Sequence, residues 1–125
     1  MPSAFVIHLH SGHGPAHYDL MLQCGGALAT WRLPADPGAL EPGGEIPAER
    51  LADHRQAYLT YEGPVSRGRG RVRRVHRGTC RLVRAQAARW SFGLSAETCR
   101  GRFELRRSAD DPERWTLRRL ADEPQ

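Results

Sequence analysis

A chain of 125 residues is long enough to bury one hydrophobic core and too short for two independent ones. Its net charge of +5 rests on 19 arginines and no lysine, crowded into the second half, which favours an anionic partner, although such usage also follows from a GC-rich genome. No apolar run approaches bilayer length, MPSAFVIHLH lacks the charged start of a secretory leader, and Cys24, Cys80 and Cys99 form no Cys-x-x-Cys, so a cytoplasmic protein with no membrane segment, disulfide framework or zinc knuckle is expected.

Ala4 to His10 alternates, with Phe5, Ile7 and Leu9 on one face and Val6, His8 and His10 on the other, the period of a half-buried strand. After a turn at Ser11 to Pro15, strand-length runs follow at His17 to Gln23, Ala27 to Leu33, Ala57 to Tyr61, Gly70 to Arg77, Thr79 to Arg84, Arg89 to Leu94, Gly101 to Arg106 and Arg114 to Arg119. The proline- and glycine-rich segment Pro34 to Pro47 reads as a surface loop, and Pro47 to Asp53 as one or two helical turns, with proline at the first position. Many short strands separated by turn residues predict an all-β, mainly antiparallel single-domain barrel or sandwich over residues 1–120, with one short helical segment and a polar tail at 121–125. The cysteines are expected to be small buried apolar residues or free thiols.

Three clusters carry chemistry. His17 and Asp19 lie two apart in a strand, so their side chains project together, and His10 leaves the preceding strand where it can turn back towards them. Two histidines and a carboxylate make a facial set that leaves open positions on a divalent Mn, Fe or Zn ion; solvated loop histidines beside a strand-end aspartate are the plain alternative. In the second cluster His54 can donate to a phosphate or leaving oxygen, Asp53 can orient it, and Tyr58 can donate from its phenol. The third is the basic stretch from Arg67 to Arg77, where strand alternation puts Arg69, Arg71 and Arg73 on one face and Val72, Arg74 and His76 on the other. It either tracks a nucleic-acid backbone or forms a solvated outer face.

Taken in order, these motifs resemble the 3′-phosphoesterase domain of bacterial DNA ligase D and its stand-alone relatives, over nearly the whole chain. The shared pattern is Phe5-Val6-Ile7-x-x-His10, then His17-Tyr18-Asp19 and alternating apolar residues, then Gly26, Leu28 and Trp31 before a proline loop. It continues with Asp53-His54, Tyr58 and Glu62-Gly63, and closes with a glycine-rich turn, a strand and an Arg-Gly-Thr turn between Gly68 and Thr79. The resemblance implies a barrel with a crescent-shaped site for Mn²⁺, or another divalent ion such as Zn²⁺ or Co²⁺. It also implies removal of a 3′-terminal ribonucleoside and then a 3′-phosphate from DNA or RNA ends during non-homologous end joining, with a separate ligase or polymerase as a possible partner. Carried over by position, His10, His17 and Asp19 are the implied metal ligands, and His54 and Tyr58 the implied phosphate contacts. The loop before His17 is one residue longer than usual, which leaves His13 as the alternative to His10. Met1 close to the first strand fits a stand-alone chain.

The departures concern charge. Where the family carries an Arg after His-Tyr-Asp, a Lys after the Trp strand and an Arg ahead of Asp-His, this chain has Met21, Ala35 and Ile46. Each charge-assisted contact is worth about 1.5–3 kcal/mol, so their loss weakens phosphate binding unless Arg32, Arg50 or Arg55 substitutes. Two other readings therefore stay open. One is a nucleic-acid- and metal-binding module with weak or no chemistry; the other is a metal enzyme on a small molecule, since two histidines and a carboxylate also suit Fe(II) oxygenases.

Overall fold

The computed structural model describes residues 3–122. Its strands are β1 (Ser3–Ser11), β2 (His17–Cys24), β3 (Ala27–Leu33), β4 (Glu45–His54), β5 (Gly63–Pro64), β6 (Arg71–Ala85), β7 (Arg89–Ala96), β8 (Arg100–Arg107) and β9 (Arg114–Arg119). They pair antiparallel in the order β1-β2-β3-β4-β9-β8-β7-β6, and β1 returns to β6, which closes an eight-stranded barrel; β5 adds to the start of β6. Of the expected polar tail, residues 123–125 lie outside the described residues. No helix among the described residues is long and apolar enough to cross a membrane.

Alternation along each strand fills the interior with Phe5, Ile7, Leu20, Leu22, Trp31 and Leu33 from the first three strands, facing Phe92, Phe103, Leu105 and Leu117. Trp31 lies at the centre of the aromatic packing, with Trp90 edge-on at 5.0 Å and Trp115 at 5.6 Å. Large aromatic side chains bury roughly 150–250 Å² each, roughly 4–6 kcal/mol of gross hydrophobic stabilisation. A smaller cluster of Val6, Met21 and Leu28 lies on the outer face of β1, β2 and β3, where Tyr58 and Leu59 pack over it.

Three expectations fail. Pro47 to Asp53 is strand, within β4, because its residues pair with β3 on one side and β9 on the other; sheet pairing overrides the local helical preference of Glu, Arg, Leu and Ala. Among the described residues helical structure is confined to two 3₁₀ turns, Pro37–Ala39 and Gln56–Leu59, so the expected strand at Ala57 to Tyr61 is absent. The expected turn at Arg77 to Thr79 is also absent, since β6 runs unbroken from Arg71 to Ala85. Gly78 is required there for space: a Cβ would stand 2.1 Å from the Ser95 carbonyl oxygen on β7.

Candidate active site

The outer face of β6, β1, β2 and β3 carries the chemistry in register. One row across it reads Arg74, His8, Asp19, Arg32, and it continues through Glu49 on β4 to Arg114 on β9. The neighbouring row places Val72, His10 and His17 side by side. Directly opposed residues in antiparallel strands have Cβ atoms about 4.5–5.5 Å apart, so these side chains meet without help from loops.

One potential ligand atom from each of His10, His17 and Asp19 falls within a cluster in which all lie within 4.8 Å of one another. The His10 and His17 rings meet edge-on at 4.7 Å, and His17 Nε2 is 3.5 Å from Asp19 Oδ1. His10 donates from Nε2 to the Arg69 carbonyl at 2.6 Å, which fixes the ring and leaves the Nδ1 lone pair open, as in many metal-binding histidines. Gly70 makes that contact possible: its φ is +83° and a Cβ would stand 2.1 Å from the Ser11 carbonyl oxygen, so the turn before β6 presses on the end of β1. Burial holds the His17 pKa below its ordinary value; Asp19 opposes the shift, whereas Arg32 and His10 reinforce it. Burial thereby favours the neutral form of His17, the form that ligates.

Asp19 is 6 % exposed, and both its Oδ1 and His17 Nε2 are buried without a hydrogen-bond partner. Buried groups of this kind are normally satisfied, and an ion bound by the three side chains would satisfy both atoms. The imidazole and carboxylate donors suit Mn²⁺, Zn²⁺ or Co²⁺. His13 is exposed in the β1–β2 loop and lies outside the cluster, although it lines the adjoining cleft. That cleft, of about 800 Å³, also takes in His10, His17, Arg32, Glu49 and Arg114.

On the other side of His8, Tyr58 bridges to the second expected cluster: its ring is 6.4 Å from His8 and 5.5 Å from His54. His54 donates from Nδ1 to the Ala52 carbonyl at 2.9 Å, which leaves Nε2 as its open nitrogen. Asp53 does not orient His54. Neighbours in a strand point to opposite faces, and Asp53 instead sits 3.5 Å from Arg50.

The expected arginine contacts divide. Arg32, half-exposed, is 4.0 Å from Asp19 and lines the cleft, and Arg55 lies 5.9 Å over the Tyr58 ring. Arg50 of β4 pairs with the inward-facing Trp31 of β3 and stacks over Trp31 at 4.3 Å, Trp90 at 5.4 Å and Trp115 at 5.9 Å, so it caps the aromatic core. Arg69 lines the cleft but is tied to its own turn through the Ser66 carbonyl and hydroxyl. Arg71 is exposed at the start of β6, beside Arg73 and Glu62 in a smaller cleft. The three neutral positions have structural roles or none: Met21 is buried in the outer apolar cluster, Ile46 packs against the main core, and Ala35 is exposed.

Two residues escaped the sequence reading. His8 shares a strand face with His10, a pattern that by itself assigns it no role. Arg74 was grouped with His76, yet a β-bulge between the partners of Ile7 and His8 sends His76 inward to Asp36 (2.7 Å) and Thr98 (2.5 Å), and leaves Arg74 beside His8.

The fold and this arrangement define a small β-barrel with an open set of two histidines and one carboxylate, flanked by histidine, tyrosine and arginine donors. Residues 8–107 match the family model of the DNA ligase D 3′-phosphoesterase domain, and the chain belongs to that family. No curated protein matches it.

Proposed function

We propose that this chain is a divalent-metal-dependent phosphoesterase acting on nucleic-acid 3′ ends, removing a terminal ribonucleotide or phosphate in end joining, with a ligase or polymerase acting on the processed end. The observation that carries this reading is the pair of orphaned buried atoms, His17 Nε2 and Asp19 Oδ1, held with His10 in one cluster beside a cleft, in a member of this family. Bound Mn²⁺, or Zn²⁺ or Co²⁺ in its place, supplies Lewis-acid polarisation of a phosphoryl oxygen and a more acidic water. His10, His17 and Asp19 hold the ion, and Arg69, through its carbonyl, keeps the His10 ring turned towards it. Arg32 offers a guanidinium to the phosphate at the cleft edge. His54 Nε2 and the Tyr58 phenol donate to the phosphate or to the leaving oxygen.

The test is incubation of a labelled primer-template ending in one ribonucleotide or a 3′-phosphate with Mn²⁺ or with EDTA. Shortened or dephosphorylated primer is expected only with Mn²⁺, and loss by 10²-fold or more is expected in His54→Ala. Primers left intact under conditions in which a ligase D domain cleaves them would sink the enzymatic reading. A binding module without efficient turnover is the second reading, favoured by the neutral residues at Met21, Ala35 and Ile46; it is distinguished by primer binding with no product.

A further inference from the structure

Seven buried side-chain nitrogen or oxygen atoms among the described residues lack a hydrogen-bond partner, and four of them fall on one patch of the outer face. Two belong to His17 and Asp19. The other two, His8 Nε2 and Arg74 Nε, belong to residues directly opposed across the β1–β6 pairing, with His8 in turn opposed to Asp19. His8 is 2 % exposed, roofed by Tyr58, and its ligand atoms fall outside the three-residue cluster. Arg74 is anchored from behind: its backbone N–H donates to Glu62 Oε2 at 2.9 Å and its terminal nitrogen lies 3.8 Å from Glu62 Oε1, while Nε is left without a partner. The Arg74 guanidinium N–H and the His8 Nε2 lone pair, on directly opposed residues beside the candidate ion site, offer a donor to a phosphate oxygen and an acceptor to a phosphate hydroxyl.

We infer that His8 and Arg74 bind the phosphate of the 3′ end, with Arg74 supplying the charge that Met21, where the family carries an arginine, cannot. The inference rests on the reading of this face as a 3′-end site. Met21 is excluded by its own packing, because its side chain fills the apolar cluster under Tyr58 and Leu59. The row one step along, Arg74-His8-Asp19-Arg32, instead brings a cation to each flank of the His8–Asp19 pair. A phosphate held there faces Arg74 and His8 on one side and the ion site on the other. Arg77, exposed in the same row as Val6 and Met21, adds long-range charge.

The test is fluorescence anisotropy with two primer-templates that differ only at the 3′ end, phosphate against hydroxyl, in EDTA so that neither turnover nor an ion contributes. The wild-type chain is expected to prefer the 3′-phosphate by about tenfold or more, the size of one charge-assisted contact. His8→Ala and Arg74→Gln are each expected to bring the ratio close to one while affinity for the hydroxyl end is kept. Arg74→Gln carries the test if His8→Ala folds poorly, since Arg74 is on the surface side of the sheet. No preference in the wild-type chain, or a preference that survives Arg74→Gln, overturns the inference. Preference that follows these residues without any Mn²⁺-dependent cleavage keeps this subsite and sinks the enzyme. Cleavage with the preference untouched does the reverse.

Discussion

Asp19 and its neighbours show how the site is held at the cost of stability. The carboxylate is buried, His17 at 3.5 Å and Arg32 at 4.0 Å approach it, and Oδ1 still makes no hydrogen bond. A buried acceptor left without a hydrogen-bond partner costs about 1–3 kcal/mol. His8 adds to this. Burial lowers its pKa, Asp19 and the Tyr58 carbonyl partly offset that, and Arg74 and His54 reinforce it. For both His8 and His17 the folded pKa lies below the ordinary 6.5, so between those values the unfolded chain binds more protons and stability rises with pH. Their contribution is complete above pH 6.5 and is lost as pH falls through that value towards the folded ones. Thermal melts at pH 7.5 and 5.5 should show a lower midpoint at the acid value, with a smaller drop in His8→Gln; an acid drop as large in the variant as in the wild type would assign the effect to other groups. That His17 and Asp19 project together was legible from residue spacing, because they lie two apart on one face of a strand. Arg74 was hidden by a bulge, which shifts alternation by one residue and leaves no signature in composition.

The elements that build the site are those in which local preference and tertiary demand diverge. Ala57 to Tyr61 reads as strand, yet Tyr58 and Leu59 are consecutive and both pack on Val6, Met21 and Leu28. A strand would send them to opposite sides, whereas a 3₁₀ turn lets both face the sheet. The strand β4 was obscured because its composition suits a helix and only its partners on both sides make it a strand. Glycine reads ambiguously for the same reason. Gly78 suggests a turn and is in fact the point of closest approach between β6 and β7; Gly70 is a true turn residue that seats the Arg69 carbonyl on His10. Alanine at either position should destabilise the fold by about 1–3 kcal/mol, through overpacking at Gly78 and left-handed strain at Gly70. Melts and Mn²⁺ titrations of the two variants should separate them: Gly70→Ala weakens ion binding as well, and Gly78→Ala leaves it intact. Equal ion affinity in both would show that His10 does not depend on this turn.

For the molecule as a whole, the all-β class was legible because short alternating strands bury one face each, but that pattern suits a sandwich as well as a barrel, and closure came from the family resemblance. The cysteines are free thiols, as expected, and two of the three are packed into the barrel. Cys80 and Cys99 are buried, and burial pushes their thiols up to about 12 and about 11, while Cys24 is exposed at the end of β2. What the sequence left open was which arginines serve the site. Arg50 faces the tryptophans inside, Arg32 and Arg74 lie on the outer face with His8, His17 and Asp19, and composition cannot distinguish them. Barrel and charge serve one arrangement, a cation-flanked row of imidazole and carboxylate at the edge of a cleft. Whether His10, His17 and Asp19 form a metal centre is decided by calorimetric titration of the metal-free chain with Mn²⁺, beside Asp19→Ala and His13→Ala. One ion per chain is expected in the wild type and in His13→Ala and none in Asp19→Ala, with Asp19→Ala unfolding no lower than the metal-free wild type. A wild-type chain that takes up no ion, or an Asp19→Ala variant that binds it unchanged, would contradict the assignment.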